Sequence, residues 1–381
     1  MKKSLETKIS IISRGLDYDY EMFEKSSEEY YENTYGYCVT NAGVKREHRV
    51  PQVLHLDDDL VVSVLRRDGS PWGLKFADTG LKLLRDGEVY GDVGLPDPLP
   101  FFGKTLSDGV KTEAVLSAYG AQTPGYFIFP DCYYFAENKP CAFCSLRTAR
   151  RSVGKDLTMK YTRQRMFETT EHVLSSGWDI PMITNTCGTP RTDKLTRRFV
   201  LEPLKGIKDA CDAADRTDMQ IHLLAHPPED LSVLDEYKAA GVTSIALNIE
   251  VYDRKHFAEI CPGKDQLYGY DRWWEALEYA KGVFGDWNVY CGIVWGIEPL
   301  QASMDGMEDI LSRGIGLATN VFHADPGTAM ENHPQPSEEE ITALAQREHE
   351  LYQKFPDART IYDVSMRNTI DWEVHNGYMA Q

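Results

Sequence analysis

From about residue 121 onward, short apolar runs and longer amphipathic stretches alternate along the chain. The runs GYFIFP (125–130), DIPMITNT (179–186), DMQIHLLAH (218–226), TSIALNIE (243–250), WNVYCGIVW (287–295), LATNVFHA (317–324) and RTIYDVSM (359–366) read as strands. Their near-continuous apolar character is that of strands covered on both faces. Between them, 162–176, 195–215, 229–240, 268–284, 301–313 and 337–354 carry helical patterning. Ser337, after Pro336 and before three glutamates, marks a helix start. Repeated βα units of this kind imply a parallel sheet. The expected fold class is α/β, a TIM-type (β/α) barrel, complete or nearly so, with its chemistry at the C-terminal ends of the strands.

The first hundred residues follow a different pattern. Residues 1–50 are polar and aromatic and predict short helix and irregular structure. Five strand-like runs follow (VPQVLHL, LVVSVLRR, WGLKFA, LKLLRDG and EVYGDVG), broken by Asp-Gly and Gly signals. The prolines at 96, 98 and 100 suggest a linker. The expected division is 1–110 as an N-terminal extension with a small β-rich module, and 111–381 as the barrel.

Composition narrows the function classes. A net charge of −18 over 381 residues argues against general nucleic-acid binding, which needs a basic footprint. The local basic clusters, Arg147 with Arg150 and Arg151, and Arg197 with Arg198, read as solvated faces or anion contacts. No run of eighteen apolar residues predicts a membrane span. The start of the chain lacks the apolar core of a signal peptide, so a reducing cytoplasm is the expected setting for eight cysteines.

Three of those cysteines, Cys132, Cys141 and Cys144, fall within thirteen residues, whereas Cys38, Cys187, Cys211, Cys261 and Cys291 are scattered singly. Clustered soft thiolates point to metal. A structural zinc takes four protein ligands, usually from paired knuckles; here there is one CxxC and one outlying thiol. A [4Fe–4S] cluster held by three cysteines leaves one iron open to an exogenous ligand. Zinc completed by a distant Cys or His, and three thiols near by chance, are the alternatives.

The loop resembles that of the radical SAM superfamily, whose three cysteines hold such a cluster while S-adenosylmethionine (SAM) chelates the fourth iron. The family spacing is CxxxCxxC with an aromatic residue before the last cysteine. Phe143 fills that aromatic place and Cys141-x-x-Cys144 matches, but eight residues stand where three are usual, a Cx8CxxC variant. Lengthening a flexible loop this much costs only about 0.6–0.8 kcal/mol in closure entropy. The resemblance covers roughly 121–370, and its strand ends are most similar to those of biotin synthase-like members. Asn248-Ile-Glu250 resembles the strand end that grips the ribose hydroxyls of SAM. The stretch 291–298 resembles the GxIxGxxE wall of the adenine site through Ile293 and Glu298, with Cys291 and Trp295 in place of its glycines. Asp325-Pro-Gly-Thr328 resembles the loop after the sixth strand. Where the family carries a GGE motif for the SAM amino group, this chain has Thr184 to Thr189, and Asn185 is the candidate. Lys264 and Arg272 are candidates for the SAM carboxylate. Cys187, Cys291 (expected to face inward) and Arg367 resemble residues around the second iron–sulfur cluster of biotin synthase, which makes an auxiliary cluster a minority expectation. The third strand offers His222 and His226 but no cysteine. Cys211 and Cys261 read as structural.

The resemblance implies reductive cleavage of SAM to a 5′-deoxyadenosyl radical that abstracts hydrogen from a small-molecule substrate. A one-electron donor such as flavodoxin or ferredoxin is implied as partner, without nucleic acid or membrane. C–S bond formation is one expected outcome. Rearrangement, epimerisation or dehydrogenation of a metabolite, a non-catalytic structural zinc or iron–sulfur protein, and an iron–sulfur electron carrier are the alternatives.

Overall fold

The computed structural model describes residues 1–23, 51–57, 59–95, 99–101, 103–120, 123–147 and 161–380. Most of the expected irregular segment up to residue 50, part of the linker around 96–98, and Arg150 and Arg151 lie outside the described residues.

The chain opens with helix α1 (Lys3–Arg14), which is buried all round from Thr7 to Ser13. All five expected N-terminal strands form: β1 (Val53–His55) pairs antiparallel with β2 (Val61–Ser63), and β3 (Trp72–Ala77), β4 (Gly80–Arg85) and β5 (Glu88–Asp92) make a meander. One continuous apolar core runs from Leu5 through Trp72 and the sheet behind it to Met379.

That sheet has seven strands in the order β12-β11-β10-β9-β8-β7-β6. β6 (Ser117–Tyr119) is antiparallel to β7 (Thr123–Phe129), and the rest are parallel: β8 (Met182–Cys187), β9 (Gln220–Leu224), β10 (Ser244–Ala246), β11 (Val289–Trp295) and β12 (Gly316–Val321). β7, β8 and β11 are buried along their whole length, as strands under helices on one side and side chains on the other must be. Helices at 163–174, 202–213, 270–284, 300–312 and 338–354 match the expected helical segments. The last begins with a reciprocal capping box between Ser337 and Glu340.

Two features differ from expectation. The barrel is a curled half-barrel, open between β12 and β6. RTIYDVSM is not a strand: residues 359–366 cross the open side as irregular chain. Their polar groups are used by other elements. The Thr184 and Tyr362 hydroxyls bond, Val61 N–H donates to Ser365 Oγ, and Val321 N–H donates to the Asn368 carbonyl. From the other side, α1 inserts Lys8, wholly buried, whose ammonium bonds Ser365 Oγ, the Met366 carbonyl and the Glu373 carboxylate. The N-terminal helix thus pins the segment that closes the half-barrel.

Candidate active site

The C-terminal ends of the parallel strands meet around one cavity of about 300 Å³. β7 delivers the chain to Cys132, which precedes a one-turn helix α2 (Tyr133–Ala136) inside the long gap of the thiol loop. Cys132, Cys141, Phe143 and Cys144 all line the cavity. Two glycines set the loop against the barrel. A Cβ at Gly188 would lie 1.9 Å from the Asp131 carbonyl oxygen, and one at Gly263 would lie 2.4 Å from the Lys139 carbonyl oxygen. Only glycine permits either approach. Ala142 N–H donates to the Ile260 carbonyl at 2.7 Å, and Cys144 N–H to the Cys141 carbonyl at 3.0 Å.

The thiol electrostatics suit a cationic occupant. Burial pushes the Cys132 and Cys144 thiols up, and the charge of Cys141 adds to both. Cys141 is held below its ordinary value, first by a hydrogen bond with the buried Cys261 thiol and then by the Lys264 charge. Three thiolates side by side without a cation repel, and a cluster that takes one thiolate per iron relieves this. Among the described residues, no three His, Cys, Asp or Glu side chains converge on a single ion-sized point.

Facing the thiols, Asn248 and Glu250 project from the end of β10. Glu250 occupies the left-handed region (φ 74°), held there by its N–H to the Gly292 carbonyl and its carbonyl to Val294 N–H. Strain of this kind persists where the surroundings over-determine it. Asn248 Oδ1 is buried with no hydrogen-bond partner, an acceptor awaiting a donor. Lys264 Nζ bonds the Asn248 carbonyl at 2.7 Å and Glu250 Oε1 at 3.3 Å and lies 4.5 Å over the Trp273 ring. Burial alone would push this ammonium down; Glu250 and the thiols outweigh it, so the shift is upward. An orphaned amide, a carboxylate and a fixed ammonium beside an open thiol triad fit the hydroxyls and the amino-acid end of SAM.

The other expected residues sort by strand register. Cys187 and Arg367 line the cavity. The Cys187 thiol donates to the Leu224 carbonyl at 3.5 Å, and burial pushes its pKa up to about 12. Cys291 does not face inward as expected. On β11 the cavity-facing parity belongs to Tyr290, Gly292 and Val294, and Cys291, Ile293 and Trp295 pack into the helical layer. Asn185 is likewise turned away, its amide donating to the His222 carbonyl at 3.0 Å. Glu298 holds Asp253 N–H at 2.8 Å and Ser303 Oγ at 3.0 Å, outside the cavity. Arg272 borders a second hollow of about 420 Å³ behind Cys187 and His226, where it bonds the Glu229 carbonyl.

Several cavity residues were not singled out in the sequence. His323, at the end of β12, has its Nδ1 2.8 Å from the buried Asp325 carboxylate. Tyr119 and Tyr362 stack at 6.2 Å across the half-barrel opening. Tyr134 Oη bonds His226 Nε2. A His-x-Asp pair ending an apolar run was the available signal for the first; the others come together only through the fold.

No family model matches the chain. A bacteriochlorophyllide c C-7(1)-hydroxylase of Chlorobaculum limnaeum is 30% identical over 141 residues, 36% of this chain and 35% of that protein, so the chain spans about a third of the relative it matches. Among solved structures, methylornithine synthase (PylB) superposes over 61% of this chain and 62% of its own with a TM-score of 0.44 at 20% identity. HydG, a maturase of the [FeFe]-hydrogenase, covers 61% and 49% with a TM-score of 0.44 at 14% identity. The chain thus combines a parallel half-barrel, a loop that brings three thiols to its mouth and polar side chains that face them across the cavity.

Proposed function

We propose that the chain cleaves SAM reductively and abstracts hydrogen from a small molecule held in the cavity under the thiol loop. The observation that carries this reading is the convergence of Cys132, Cys141 and Cys144 with Asn248, Glu250 and Lys264 on one cavity. The three thiols hold a [4Fe–4S] cluster, and Phe143 shields it. When bound, cluster and SAM supply a one-electron cleavage of the sulfonium and with it a carbon centre able to take hydrogen from an unactivated position. A donor of the flavodoxin or ferredoxin type provides the electron.

The protein's own part is binding, orientation and exclusion of water. Asn248 and Glu250 receive the ribose hydroxyls. Lys264, held by Glu250, receives the carboxylate. The segment 360–373 closes the open side, and the Tyr119–Tyr362 pair gives the substrate an aromatic shelf. His323 Nδ1 is committed to Asp325, which leaves Nε2 to take or give a proton at the substrate.

Of the outcomes after abstraction, sulfur insertion loses support, because Cys291 faces the helices and Cys187 is the one strand thiol at the cavity among the described residues. Hydroxylation is the second reading, favoured by the hydroxylase relative.

Anaerobic reconstitution with iron and sulfide, then reduction with SAM present, tests the proposal. 5′-Deoxyadenosine from wild type but not from a Cys141→Ala, Cys144→Ala double variant is the expected result. A reducible cluster whose EPR signal ignores SAM, with no deoxyadenosine formed, returns the site to a structural metal.

A further inference from the structure

We propose that Tyr134 is the positioning residue of the extended thiol loop, fastening the long first gap to the third strand end through His226. The inference rests on the reading that this loop holds a cluster. Eight residues between Cys132 and Cys141 leave the first thiol on a flexible arm unless something fixes it. The structure fixes it at three levels.

At its start, Tyr133 N–H donates to the Thr189 carbonyl at 3.0 Å, beside the Gly188–Asp131 approach. At its end, Asn138 turns through the left-handed region, and Lys139 N–H returns to the Tyr134 carbonyl at 2.8 Å. In the middle, the Tyr134 side chain points down into the barrel and is 1% exposed. Its ring lies against Gly263, where a Cβ would come within 2.6 Å of Tyr134 Cγ. Its hydroxyl meets His226 Nε2.

The direction of that bond is set by the histidine. His226 Nδ1 faces the Pro227 carbonyl, which can only accept, so Nδ1 carries the proton and Nε2 is left as acceptor for the phenol. Tyr268 and Trp273 each pack edge-on to the imidazole, with ring centroids 4.9 and 4.8 Å away, and fix its plane. The socket is therefore rigid and built from β9, the 262–267 helix and the 270–284 helix. Cys132 precedes α2 directly, so its thiol inherits the position of Tyr134 two residues on.

The experiment compares wild type, Tyr134→Phe and Tyr134→Ala. Phenylalanine keeps the ring in its socket and removes only the hydrogen bond. In the apo protein, kept anaerobic and reduced, iodoacetamide labelling of Cys132 and amide hydrogen exchange across 131–144 are followed by mass spectrometry. Labelling and exchange should quicken about fivefold in Tyr134→Phe, and more in Tyr134→Ala, while the thermal midpoint of Tyr134→Phe stays within a few degrees of wild type. After reconstitution, iron should leave Tyr134→Phe several-fold faster under a ferrous chelator, a readout that general stability would not move at constant midpoint. If wild type binds a cluster and Tyr134→Phe matches it in labelling, exchange and iron release, the inference is overturned. If wild type binds no cluster but the apo measurements respond, the cluster reading fails and the anchoring role of Tyr134 stands.

Discussion

Gly292 lies directly beneath the Asn248 side chain: a Cβ at Gly292 would stand 2.3 Å from Asn248 Cγ and 2.5 Å from Nδ2. The amide cannot keep its place over a methyl group. Gly292→Ala should therefore weaken SAM binding at least tenfold and cost about 1–3 kcal/mol of stability from overpacking. Titration calorimetry on reconstituted protein measures the first and urea unfolding the second. Unchanged SAM affinity would remove Asn248 from the binding site.

Gly188→Ala acts on the thiol loop. Its methyl would meet the Asp131 carbonyl, one residue before Cys132. Iron bound per chain after reconstitution should fall by more than half, with the helical circular-dichroism signal kept.

Lys8 and Glu373 form an ion pair with no exposed surface. Lys8→Met leaves the carboxylate buried without its cation and should cost about 3–5 kcal/mol in urea unfolding. Adding Glu373→Gln should restore much of that loss. A single variant as stable as wild type would show that the pair does not hold the 365–373 segment.

Burial holds His222 and His226 neutral, with pKa values pulled from 6.5 to about 3; for His226 the Lys264 charge adds to the effect. As pH falls below 6.5 the unfolded chain takes up protons that the folded chain refuses. Their contribution is thus full above that pH and lost on the way toward 3, at about 1.4 kcal/mol per pH unit for each histidine. Asp371 opposes this: burial raises its pKa from 3.8 to about 6, so it favours the folded state on the acid side of that window. In apo protein at pH 6.5 to 4.5, His222→Asn should show a shallower fall in unfolding free energy by one histidine's share. Parallel curves would mean that His222 is protonated in the folded state.

The alternation of strands and helices was legible because two-sided burial leaves long apolar runs, and the thiol loop was legible because three cysteines stand close in sequence. Misreadings arose where only register decides. On β11 the motif alignment sets Cys291 and Trp295 in the places of the family's glycines and turns Cys291 inward. The glycines stand at 292 and 296, and the inward face belongs to Tyr290, Gly292 and Val294. In a period of two, a slip of one residue turns every side chain to the other face. RTIYDVSM has strand composition, yet it meets α1 and β2 at the open side, where Lys8 and Val61 N–H take up its polar groups. β6 escaped notice because three residues carry no pattern of their own, and Ser117 to Tyr119 become a strand only by pairing with β7. Asp325 and His323 were adjacent enough to find, but the Tyr119–Tyr362 and Tyr134–His226 contacts span too much chain for spacing to reveal.

Lys8 reaches its carboxylate across 365 residues of sequence. During synthesis α1 leaves the ribosome long before its counter-charge is made, so its lysine has to stay hydrated until the distal segment arrives. Contacts this remote in sequence slow folding. The closing of the cavity and the burial of this charge then become one late event. A chain that stalls before residue 373 would keep an open sheet edge and an uncovered apolar helix face, the surfaces on which chaperones act.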